Sequence, residues 1–186
     1  MYNQLPAAIN DFLIDAAMPF KHQNEARLAD CMYFYETEVK AHLINEKHAK
    51  LCLAGLQIAS DCINHAHEIV QNGKSIEACY WHAFIHRQEG DYSNAAYWFR
   101  QTDYTALYTQ LISKVQQYLE SISPVSELRP LQQWTDWDSY ALLDIYRKAT
   151  KDGELTIQLR ELRRVEWAII MNSCLKKAGY QSHFNF

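Results

Sequence analysis

Apolar residues along this chain recur every three or four positions and hardly ever alternate, a pattern that predicts helices and no strands. The clearest stripe runs through Leu51, Ala54, Ile58, Cys62, Ala66 and Ile69, and predicts one helix from about Lys47 to Gln71, ended by Asn72-Gly73. A second stripe, Leu28, Met32, Tyr35 and Val39, predicts a helix over roughly Asn24 to Ile44. Only five glycines and four prolines punctuate the whole. Pro6 suits the first turn of an opening helix that stops before Pro19, because its missing N–H costs nothing there. Ser75 can cap a helix reaching Glu89, Gly90 supplies the left-handed residue that ends it, and Asp91 or Ser93 can cap a short helix through Arg100.

After Asp103 the amphipathic run "YTALYTQLISKVQQYL" extends to about residue 120. The segment "ESISPVSELRP" holds two of the four prolines and reads as a loop that could set off a C-terminal helical pair. Asp138 or Ser139 opens a helix to about Ala149, Gly153 breaks it, and the last long helix spans Glu154 to Ala178 before Gly179. The expected fold is an all-α, single-domain bundle of six to eight helices.

Composition narrows the function classes. With 186 residues, 48% of them hydrophobic, the chain can bury one core. A net charge of -4 gives no field that would draw it to nucleic acid or an anionic membrane. Five widely spaced cysteines without a C-x-x-C pair argue against a disulfide framework or zinc ribbon and fit a reducing compartment. The start "MYNQLPAAINDF" lacks the pattern of a signal peptide and "WAIIM" is far too short to cross a bilayer, so a cytoplasmic location is expected.

The densest stretch is "YWHAFIHRQEGDYSNAAYWFR", residues 80 to 100. Ala83, the Gly90-Asp91-Tyr92 turn, Ala95 and Phe99 are similar in phase to a tetratricopeptide unit, in which small residues let two helices approach and a glycine reverses the chain. Only this one copy is convincing, and a solenoid needs about three. Tyr80, Trp81, His82, His86, Arg87, Glu89, Asp91, Tyr92, Asn94, Ala95, Tyr97, Trp98, Phe99 and Arg100 also resemble a family of uncharacterised helical proteins with the motif Y-W-H-x-x-x-H-R-x-E-x-D-Y-x-N-A-x-Y-W-F-R. His67 and Gln71 of "AHEIVQ" resemble that family's upstream S-H-x-x-S-Q, and "WDSYALLDIY" and "LRELRRVEW" its later helices. The chain departs from the motif at the first residue of "AHEIVQ" and at "QTDY" after Arg100. The resemblance implies a helical fold and brings no activity with it.

Within the motif, His82, His86 and Glu89 stand at i, i+4 and i+7, about 400° and 700° of helical turn, and share one face. Two imidazoles and a carboxylate can ligate a divalent metal, zinc or iron. A tight turn near residue 73 would bring His67 to the height of His82 and complete a three-histidine set, with Glu89 or Asp91 as catalytic acid or base. The plain alternative is packing, with the imidazoles hydrogen-bonded between helices, and it outweighs the metal because a histidine pair without the zincin glutamate is a weak signal. Arg87, Asn94, Trp81 and Trp98 could line a ligand groove, although caps and ion pairs explain the polar members as well. His42, His48, His65 and His183 have no phased partner. Arg160, Arg163 and Arg164 read as a solvated basic edge.

These residues point to a ligand-binding or protein-interaction module, taking a small molecule or a protein partner, with a tyrosine-rich surface compatible with a homodimer. The competing reading is a small metal-dependent enzyme using His67, His82, His86 and Glu89. No phosphate-binding glycine loop, serine elbow or phased cysteine and histidine selects a reaction.

Overall fold

A computed structural model describes residues 25–102, 105–149 and 153–180. The helix expected between Pro6 and Pro19 lies outside the described residues. Those that are described form an all-α bundle: α1 (Glu25–Phe34), α2 (Glu46–Ala59), α3 (Ile63–Val70), α4 (Ile76–Glu89), α5 (Tyr92–Phe99), α6 (Thr105–Glu120), α7 (Ser139–Lys148) and α8 (Glu154–Ala178). Among them there is no strand, and no helix is long and apolar enough to cross a membrane.

The caps follow the side chains that can make them. Ser75 Oγ accepts from the Ala78 amide at 3.4 Å, Asp91 Oδ1 from Asn94 at 3.0 Å, and Asp138 Oδ1 from Tyr140 and Ala141 at 2.9 Å each. Gly90 and Gly179 both sit at φ 81°, where a glycine ends a helix without a Cβ penalty.

Two predicted helices come out divided. The stretch from Lys47 to Gln71 is α2 and α3, separated at Ser60–Cys62, where Asp61 takes φ 61° and Gln57 O accepts from the Cys62 amide. The apolar stripe runs through the break, with Ile58, Cys62 and Ala66 all buried, so periodicity alone had no reason to stop there. The helix expected to Ile44 leaves α-geometry after Phe34, passing through a π-turn at Tyr35–Val39 and a 3₁₀ turn at Lys40–His42. Cys31, Tyr35 and Val39 still face the core.

α4 is the central rod. It packs against α2, α3, α5 and α8, and every residue from Glu77 to Arg87 is buried. α8 also lies along α2 and α6, while α7 leans on α5. α2 comes close because Gly55 has no side chain: a Cβ there would stand 3.0 Å from Trp81 and from Met171 Sδ. The Gly55 carbonyl accepts from Trp167 Nε1 at 2.7 Å. A helix buried on all sides cannot leave its polar residues in water, so Glu77, His82, His86 and Arg87 must find partners on neighbouring helices.

Candidate metal centre

Glu77 and Arg87 find theirs on α8. Glu77 Oε1 accepts from Ser173 Oγ at 2.8 Å and pairs with Lys177 Nζ at 2.7 Å, which outweighs burial and holds its carboxyl below the usual range. Arg87 reaches Glu166 with Nη1 at 3.1 Å and Nη2 at 2.7 Å, a bidentate pair wholly inside the protein. Tyr80 donates to the same carboxylate at 2.5 Å, and the rings of Phe84, Phe99 and Tyr146 surround the guanidinium at 4.6–5.7 Å. Arg87 Nε has no partner among the described residues. Arg87 therefore faces the core, with its guanidinium engaged by Glu166. Trp81 is fully buried as well, against Phe84 and Trp167, which removes it as a surface platform.

The histidines find no opposite charge on a neighbouring helix. His82 is about 140° round α4 from Arg87, so it and His86 face away from α8, toward α3 and α5. α3 and α4 form a hairpin across Gln71–Ser75, which carries His67 to the level of His82. His82 Nε2 lies 2.9 Å from His67 Nε2, and one ring nitrogen from each of His67, His82 and His86 falls within a 4.8 Å span. His82 is sandwiched, its ring centroid 3.9 Å from Trp98 on α5 and 4.8 Å from His86. Burial, then the neighbouring His67 and His86, push its pKa from 6.5 down to about 4. It is neutral at pH 7, as a metal ligand must be. Its Nδ1 is buried and has no hydrogen-bond partner among the described residues.

His86 is oriented differently. Its Nδ1 stands 3.2 Å from Glu89 Oε2, and an ionised carboxylate can only accept, so Nδ1 donates and, in the neutral imidazole, Nε2 is the bare nitrogen. Glu89 is exposed, His67 half-buried and His82 and His86 buried, so the cluster sits at the edge of the protein with one side toward solvent.

Of the remaining predicted site residues, Asp91 and Asn94 do not join it. Asp91 caps α5 through Oδ1, and the exposed Asn94 contributes the amide it caps. Trp98 does reach the cluster, stacked flat on His82. Arg163, expected on a solvated edge, is buried at 1% exposure, and desolvation lowers its pKa to about 10. Nothing near position 166 in the sequence marks Glu166 as the counterion of a residue 79 positions away. All five cysteines are free and buried, with the Cys52 thiol pushed to about 12 by desolvation, far from a nucleophile's range. A groove of about 610 Å³ beside Lys47, Glu68 and Gly73 is lined by none of the histidines.

No family profile, no curated protein and no solved structure matches this chain.

Proposed function

We propose that the protein is a helical metal-binding module that holds one zinc ion between α3 and α4, with His67, His82 and His86 as ligands. The observation that carries this reading is the convergence of three ring nitrogens within 4.8 Å, with Glu89 on the far nitrogen of His86 as the one carboxylate paired with them among the described residues. Zinc with nitrogen ligands at 2.0–2.1 Å in a tetrahedron places them about 3.3 Å apart. The widest pair of the triad lies no more than about 1.5 Å outside that spacing, within reach of small imidazole rotations.

Zinc is preferred to iron by the donor set. Non-haem iron sites of the facial type use two histidines and a carboxylate on the metal. Here the nearest carboxylate, Glu89, is engaged with the far nitrogen of His86. Three neutral ligands leave the full double charge on the ion and a fourth position toward solvent, the arrangement that acidifies a bound water to near neutrality. A hydrolytic or hydration activity is thus the second reading, favoured by that solvent-facing side, with Glu89 as its nearest acid-base group.

Metal content of the purified chain, followed by cobalt(II) titration, tests the proposal. One equivalent of zinc, a tetrahedral cobalt spectrum, and loss of both in His67→Ala, His82→Ala and His86→Ala support it. Wild-type protein that takes up neither ion would overturn it.

A further inference from the structure

We infer that Glu89 is the positioning residue of the triad: by accepting from His86 Nδ1 it fixes one tautomer and turns the bare Nε2 toward the metal. The inference rests on the zinc reading, and it concerns how His86 becomes a ligand at all.

Glu89 occupies an electrostatically unfavourable place. It ends α4, where the helix dipole is negative and an acidic side chain is opposed instead of helped. Gly90 follows with open space around it, since nothing lies within 4 Å of where its Cβ would be, so the carboxylate could extend into water. Instead it turns back one helical turn to His86 at 3.2 Å. A neutral imidazole in water exchanges its proton between two nitrogens, and only one tautomer can ligate through Nε2. A carboxylate on Nδ1 selects that tautomer and makes Nε2 more basic.

The triad itself supplies a contrast. His82 has no group on Nδ1 among the described residues, and its ring is held by Trp98 and His86 on its two faces. His86, nearer the exposed end of α4, is instead held through its Nδ1 by Glu89. Two mechanisms thus orient two ligands on one helix face.

The test uses Glu89→Ala and Glu89→Gln in the full chain, with long-range nitrogen–proton correlation spectra of metal-free protein and zinc affinity by chelator competition. Metal-free wild type should show His86 protonated on Nδ1. Glu89→Ala should mix the tautomers and weaken zinc binding about 10- to 100-fold. Glu89→Gln, whose amide oxygen still accepts, should restore the tautomer and most of the affinity. An unchanged tautomer and affinity in Glu89→Ala overturns the inference, as does a glutamine variant that fails as badly as alanine, since charge and not orientation would then matter. Wild type that binds no zinc sinks the metal reading, and the metal-free spectra still decide the role of Glu89.

Discussion

One helix, α4, carries two buried polar clusters on opposite faces, and they are solved in opposite ways. On the face toward α8, Arg87 meets Glu166 and Tyr80 inside a cage of rings, so a buried positive charge is matched by a negative one. On the face toward α3 and α5, three basic side chains meet one another, and His82 is kept neutral because burial and its two neighbours all oppose a proton. Charge matching makes the first cluster a fastening. On the proposed zinc reading the second is a receptor for an outside cation, since neutral nitrogens take up a positive ion without having to lose a proton.

The sharpest way to break this contrast is to strip one partner from the fastening. Glu166→Gln leaves Arg87 charged and dry, and should cost about 3–5 kcal/mol in urea unfolding. Replacing both, as Arg87→Met with Glu166→Leu, should recover most of that loss, because a buried ion pair is worth little against apolar residues of similar size. A double variant as unstable as the single one would show that the pair does more than cancel itself.

On the other face the expected order reverses. His82→Phe keeps a ring against Trp98 and should cost no more than about 1 kcal/mol of stability, while zinc affinity falls by at least about 100-fold. The same variant tests the pH behaviour. In the fold His82 takes its proton near 4, whereas an unfolded imidazole does so near 6.5, so between those values the unfolded chain binds the extra proton. Its contribution is present in full above pH 6.5 and is lost as the pH drops toward 4. Thermal unfolding of His82→Phe should therefore fall less steeply than wild type across that window. An effect confined to stability is expected at the turn that ends α4: Gly90→Ala meets no neighbour and should cost about 1–2 kcal/mol from its φ of 81° alone, with zinc affinity unchanged.

The sequence made the ends of helices legible because caps are local. Ser75, Gly90, Asp91, Asp138 and Gly179 each act within four residues of themselves: Ser75, Asp91 and Asp138 start helices in the structure, and Gly90 and Gly179 end them. The face shared by His82, His86 and Glu89 was equally readable, and a hairpin turn was enough to bring in His67. The break at Ser60–Cys62 was hidden, since no glycine or proline marks it and the apolar stripe continues across it. The partner of Arg87 was hidden for a different reason. Its counterion sits on α8, and only the packing of α4 against α8 decides which acid an arginine meets. Arg163 was misjudged likewise: a charge among charges reads as surface until the fold encloses it.

Glu166 belongs to the last of the described helices to leave the ribosome. Until then the nascent α4 holds a cation for which no mate has been made, and Ala178, whose carbonyl anchors the amides of Ile44 and Asn45, is equally absent. Nascent chains arrested before residue 166 should stay protease-sensitive through α2 to α5, and become resistant together once α8 is released.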